Sequence, residues 1–148
     1  AKLSGKDYRV YTLLGDGELQ EGQVWEAAML AGHRKLDNLV MIVDNNGLQI
    51  DGDVAQVNSP YPIDKKFEAF NCHVINIDGH NYDEIDKAFK EAREVKGMPT
   101  VIVAKTVKGK DVSFMENQAS WHGVAPNAEE YKTAMEELEK EGEALCQK

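Results

Sequence analysis

The sequence predicts an α/β fold, with a parallel sheet flanked by helices in a single domain. Four short apolar runs, at residues 8–14, 39–43, 73–77 and 100–104, are each rich in Val, Ile, Leu or Tyr and are continuous rather than strictly alternating. Continuous runs of that length mark strands covered on both faces. Segments with helical spacing lie between and after them, and strand alternating with helix builds a parallel sheet with right-handed crossovers. A length of 148 residues suits one domain with its own core.

The first run ends in Gly15-Asp16-Gly17. Val24, Ala27, Ala28, Ala31 and Leu36 then share one apolar face, which predicts the first helix. The second run leads into Asn45-Asn46. Residues 47–62 are rich in Gly, Asp, Asn and Ser with two prolines, and predict a long loop holding at most one short turn. After the third run, Tyr82, Ile85, Phe89 and Ala92 recur at helical spacing, with Asn81 as N-cap and Glu84 as its return partner. Residues 105–126 form a second long loop, and such loops in compact domains are functional or mobile. A last helix is predicted from Tyr131, Ala134, Met135 and Leu138 behind Asn127 and Glu130, its other face crowded with glutamate and solvated.

Composition narrows the function. Apolar residues make up 42% and charged residues 29%, and the net charge is −9. An acidic chain with no basic stripe does not suit nucleic acid, and no run approaches the roughly 18 apolar residues of a membrane span. The first ten residues carry neither a hydrophobic signal segment nor an arginine-rich presequence. Cys72 and Cys146 show neither metal-ligand spacing nor a disulfide framework, so a reducing cytoplasm is expected. The absence of an initiating methionine suggests a piece of something longer. The negative charge would also repel a phosphate ligand unless a cation stood between them.

Gly15-Asp16-Gly17 and Asn45-Asn46 follow successive predicted strands, where α/β sheets bind ligands beyond the strand carboxyl ends. The glycines allow a sharp turn and close backbone approach. Asp16 offers a carboxylate oxygen, Asn46 an amide oxygen, and Leu48 a backbone carbonyl. Magnesium takes about six oxygen ligands, only a few of them from protein. Asp-Gly or Asn-Gly alone is an ordinary turn pair. Together, after neighbouring strands, they point to a divalent cation bridging an acidic protein to a diphosphate.

These motifs carry a family resemblance. A GDG separated by residues 18–44 from an NN is the signature of thiamine diphosphate enzymes. The stretch GDGELQEGQVWEAAMLAGHRKLDNLVMIVDNNGLQIDG, with AKTVKGKDVSFMENQ and WHGVAPN further on, resembles transketolases. It is most similar to the amino-terminal subunit of split bacterial and archaeal transketolases, from Tyr8 to about Leu138. The resemblance implies the thiamine diphosphate-binding fold and transfer of a two-carbon ketol unit between sugar phosphates. The implied cofactors are thiamine diphosphate and magnesium, or another divalent cation such as calcium or manganese. Asp16, Asn46 and the Leu48 carbonyl match the family's metal ligands, and Gly15, Gly17 and Asn46 belong to the diphosphate grip. His122 matches a histidine near diphosphate and substrate, where an imidazole could donate to phosphate or move a proton; otherwise it is a loop histidine. Glu21 and Glu26 match interface glutamates, although acidic residues also suit a helix start. The implied partners are a carboxy-terminal transketolase half or subunit, in a homodimer or heterotetramer.

The chain also departs from the family. The amino-terminal stretch with its Gly-His-Pro motif is absent, as is the glutamate that activates the thiamine ring, which belongs to the other half. The expectation is an incomplete domain, truncated at its amino end, that exposes apolar sheet surface and supplies part of a site. Asp111 stands where relatives usually carry glycine, and so does Ser120. Deoxyxylulose phosphate synthase and keto-acid dehydrogenase are alternatives, disfavoured by LQEG, KLDNL and DNNGLQIDG. A non-catalytic interaction module is a third reading. A nicotinamide domain is disfavoured because no Gly-x-Gly-x-x-Gly follows the first run. Trp25 and Trp121 are expected in packing or an interface, His33 at a helix end and His73 at a strand start. Lys105, Lys108 and Lys110 could form a basic loop near a sugar phosphate, although solvated lysines are the plainer expectation, and His80 has no assigned role.

Overall fold

The computed structural model describes residues 1–146. Its main sheet has four parallel strands: β1 (Val10–Gly15), β2 (Leu39–Asn45), β5 (His73–Asp78) and β6 (Thr100–Lys105), in the order β1-β2-β6-β5. Helix α1 (Gly22–His33) links β1 to β2, and α4 (Tyr82–Glu94) links β5 to β6. A final helix, α5, spans Ala128–Cys146. The expected α/β class and all four strands are present. β1 begins two residues later than its apolar run, at Val10, whose N–H donates to the Asn38 carbonyl at 2.8 Å.

Side chains of the central strands divide between two cores. Met41, Val43, Val101 and Val103 pack with Leu19, Ala28 and Phe67 on one face. Val40 and Ile102 meet Ala88 and Ala92 of α4 on the other. Two covered faces are why these strands read as unbroken hydrophobic runs. β1 is different. It is an edge strand, and its Leu13 is 71% exposed, so apolar sheet surface is indeed open there.

The expected loop over 47–62 is more regular than its composition indicates. It holds a small antiparallel hairpin of β3 (Leu48–Gln49) and β4 (Gly52–Asp53), followed by α2 (Val54–Asn58), whose N-cap Asp53 accepts from the Ala55 N–H. Helix α3 (Ile63–Ala69) was not expected at all. It exists because Ile63 and Phe67, one turn apart, are both driven into the core. The spacing of those two residues behind Pro62 was the available signal. Lys105 belongs to β6, and residues 106–126 remain irregular except for a single 3₁₀ turn at Ala119–His122.

The predicted caps form, with one change of partner. The Asn81 side chain accepts from the Asp83 and Glu84 N–H groups, but Glu84 reaches the N–H of Asp78 rather than that of Asn81. At α5 the capping box closes: Asn127 accepts from Glu129 and Glu130, and Glu130 accepts from the Asn127 N–H. Of the expected apolar face of α5 only Ala134 is buried, and Tyr131 and Leu138 face outward.

Asn81→Ala leaves two α4 N–H groups without their acceptor and should lower stability by about 1 kcal/mol, read from the denaturation midpoint of the full-length protein. Gly32→Ala should cost about 1–3 kcal/mol or more, because an added Cβ would lie 1.9 Å from the Phe70 carbonyl oxygen, which belongs to rigid backbone.

Candidate functional site

Parallel pairing of β1 with β2 sets Gly15 opposite Asp44, so the residues following each strand emerge side by side at one end of the sheet. The Asp16 N–H donates to the Asp44 carbonyl at 3.1 Å, which continues the pairing one step into the turn. There Gly15, Asp16, Gly17, Asn46, Leu48 and His122 line one cavity of about 450 Å³, with Glu18, Asp44, Gln49, Ile50 and Lys108.

Asp16 is 1% exposed. Its two carboxylate oxygens accept from Gly17 N–H at 2.9 Å and Gly47 N–H at 2.6 Å. Burial pushes its carboxyl above the usual carboxylate range; the Gly47 and Gly17 N–H groups pull it back, the Asp44 charge raises it and Lys105 lowers it. The folded chain therefore favours the neutral acid. That contribution to stability is complete below pH 3.8 and is lost as pH rises through the elevated pKa. A bound cation would offset the cost of ionising this buried carboxylate.

Asn46 is turned by two neighbours. Its amide nitrogen donates to Asp44 Oδ2 at 3.2 Å, and its carbonyl oxygen accepts from the Leu48 N–H at 2.8 Å. The hairpin then decides where Leu48 points. Val54 N–H donates to the Gly47 carbonyl, and bonded pairs alternate along an antiparallel ladder, so the next pair, Leu48 with Asp53, is non-bonded. The Leu48 carbonyl is thus left outside the ladder, on the side its N–H takes toward Asn46.

A divalent cation fits this donor set. The donors are hard oxygens, as magnesium requires. Among the described residues no three His, Cys, Asp or Glu side chains could form a metal cage by themselves. A cation here would need a backbone carbonyl and oxygens brought by its ligand.

Gly17 is required by space: a Cβ there would come 2.9 Å from the Cβ of Gln49. Gln49 is itself held by the Gln20 amide at 2.6 Å, so the GDG turn and the β3–β4 hairpin are in contact. His122 stands at the exposed end of its 3₁₀ turn, which is anchored by the Trp121 indole donating to the Phe114 carbonyl at 3.0 Å. Trp25 packs on Phe67 and donates to the Leu19 carbonyl at 2.7 Å. Both tryptophans are packing residues. Asp111 adopts φ 66°, the left-handed conformation a glycine would take, so the departure from the family pattern keeps its backbone shape.

Glu21 and Glu26 do not reach this cavity. Glu21 precedes α1 without capping it, and its carboxylate accepts from the Gln23 amide. Glu26 lies on an exposed flank with Met29 and Leu30. Sequence reasoning missed Asp44, which begins the DNN motif, and Tyr61, which donates to Asn45 Oδ1 at 2.8 Å. Burial raises the Tyr61 hydroxyl pKa, and the charges of Asp16 and Asp53 raise it further.

The family description "Transketolase, thiamine diphosphate binding domain" matches residues 3–144. The chain is 47% identical over 133 residues to the 6-deoxy-6-sulfo-D-fructose transketolase subunit of a Clostridium strain, covering 90% of this chain and 48% of that one. It is 39% identical over 145 residues to an apulose-4-phosphate transketolase subunit of Phocaeicola vulgatus, covering 98% and 52%. The chain thus spans about half the length of these curated relatives. The crystal structure of Campylobacter jejuni transketolase superposes with a TM-score of 0.82 at 39% identity, over 88% of this chain and 20% of that one. On the sequence, the sheet and these matches together, the chain belongs to the transketolase family, as its thiamine diphosphate-binding domain.

Proposed function

We propose that this chain is the part of a transketolase that holds magnesium and the diphosphate of thiamine diphosphate. The whole protein, formed with a carboxy-terminal half or subunit, would transfer a two-carbon ketol unit between sugar phosphates. The observation that carries the reading is the meeting of a buried Asp16 carboxylate with Asn46 and the free Leu48 carbonyl at one cavity. Asp16, Asn46 and Leu48 are the metal ligands in this reading, and another divalent cation such as calcium or manganese would meet the same oxygens. Thiamine diphosphate, when bound, supplies the carbanion-stabilising chemistry that breaks and remakes the carbon–carbon bond.

The chain's own residues grip and orient. Gly15 and Gly17 keep the turn low enough for a diphosphate to approach the backbone. Lys108 and His122 line the same cavity and would bring donors to its anionic oxygens. His122 is exposed on its turn, so it can also reach a substrate hydroxyl and hold or pass a proton there. The cation would reduce the repulsion between an acidic chain and the diphosphate and offset the ionisation cost of Asp16.

The two subunit relatives are named for a sulfosugar and a sugar phosphate, each ending in a tetrahedral anion; for this chain we take a sugar phosphate. Their naming as subunits supports a separate partner chain. Glu26, Met29 and Leu30, spaced for one helix flank, form the face of α1 that we assign to the interface, with Glu21 at its edge. Among the described residues no helix is long and apolar enough to cross a membrane. Cys72 is buried and unpaired, in keeping with a reducing cytoplasm.

Titration calorimetry on the full-length protein with its complementary subunit should show thiamine diphosphate binding that requires magnesium. Asp16→Ala should weaken it at least tenfold, and binding that survives metal removal or this substitution would refute the metal assignment. The same assembly should convert a ketose phosphate and an aldose phosphate into the two-carbon exchange products, checked by product chromatography; decarboxylation of a keto acid instead would move it to another branch.

A further inference from the structure

Asp44 accepts two hydrogen bonds that the proposed cofactor grip does not explain. One of its carboxylate oxygens takes the Thr106 hydroxyl, and the other takes the Asn46 amide nitrogen at 3.2 Å. An ionised carboxylate only accepts, and a backbone N–H only donates. Asn46 must therefore turn its NH₂ to Asp44 and its oxygen to the Leu48 N–H. The partners leave no choice of amide orientation, and the choice they impose keeps the Asn46 oxygen off Asp44.

Thr106 is itself held on both sides. Its N–H donates to the Asn45 carbonyl at 3.3 Å, and the next N–H, of Val107, donates to His80 Nε2 at 2.8 Å. Nε2 is thus the unprotonated ring nitrogen. The turn bearing His80 lies directly against this segment: Gly79 N–H donates to the Lys105 carbonyl at 2.7 Å, and a Cβ on Gly79 would come 2.5 Å from Thr106 Cγ2. The path runs from His80 through Val107 and Thr106 to Asp44, and from there to Asn46. It crosses the strand tips from the β5 edge of the sheet to the cavity.

We propose that Thr106, with His80 behind it, is a positioning residue that sets Asn46 for the metal through Asp44. The inference rests on the metal reading of Asn46 given above. Without the Thr106 hydroxyl, Asp44 loses the donor that fixes its plane, and Asn46 loses a fixed partner. Groups that orient metal ligands in this way typically contribute 10–100-fold to metal affinity.

The test is calorimetry of thiamine diphosphate with the full-length protein and its complementary subunit, with and without magnesium. Thr106→Val should weaken magnesium-dependent binding about tenfold, while Thr106→Ser, which keeps the hydroxyl, should restore it. His80→Phe should weaken binding in the same direction, and His80→Gln, which retains an acceptor, should recover part of it. In an Asp44→Asn background Thr106→Val should add nothing, a non-additivity that a merely structural role would not produce. Wild-type affinity in Thr106→Val, or full additivity with Asp44→Asn, would overturn the proposal while leaving the metal reading intact. If Thr106→Val does not fold, the His80 pair decides in its place. Absence of magnesium-dependent binding in the unsubstituted protein would overturn the metal reading, and the proposal with it.

Discussion

The site depends on one constraint: two adjacent parallel strands end in step, and a carboxylate is buried where they end. Gly15 lies opposite Asp44, so Asp16 turns inward one residue past the ladder. Its oxygens then bind the N–H groups of Gly17, on its own turn, and Gly47, on its neighbour's. Those bonds tie the two turns into one rim. A carboxylate in that place is costly without a cation, because burial disfavours its charged form more than two N–H donors favour it. In the proposed reading, the feature that locks the rim together also prepares it for a metal.

The rim gains its shape from small contacts around that carboxylate. Gly17 admits the β3–β4 hairpin to within side-chain contact, and the alternation of the hairpin's bonds leaves the Leu48 carbonyl unengaged. Asn46 is oriented by Asp44 and by the Leu48 N–H. Each contact is ordinary in strength. Their joint effect is to preset the oxygens, so that the proposed cation and diphosphate would meet a site needing little reorganisation.

A second, apolar cavity of about 490 Å³ adjoins the site on the α4 side of the sheet, where Leu13, Ile42, Ile77 and Phe89 face one another. It shares Asp44, Asn46 and Lys108 with the polar cavity. The exposed edge of β1 borders it, and relatives of this chain are about twice as long. Open apolar surface beside a polar rim is consistent with the proposal that this chain meets a partner chain at the site.

Much of this was legible in the amino-acid sequence by itself. The strands follow from runs rich in Val, Ile and Leu, and the two central ones read as unbroken because both faces of the sheet are covered there. The turn residues Asp16 and Asn46, and the caps Asn81 and Asn127, are local features, and local spacing is enough to find them. Only tertiary structure decided the rest. Helix α3 forms because distant core surface takes Ile63 and Phe67, and Glu26 is exposed because α1 turns its other side to the sheet. Asp44 and Thr106 meet across 62 positions of chain, and His80 and Val107 across 27. No local pattern encodes pairs so far apart, since only the strand order β1-β2-β6-β5 brings their tips together.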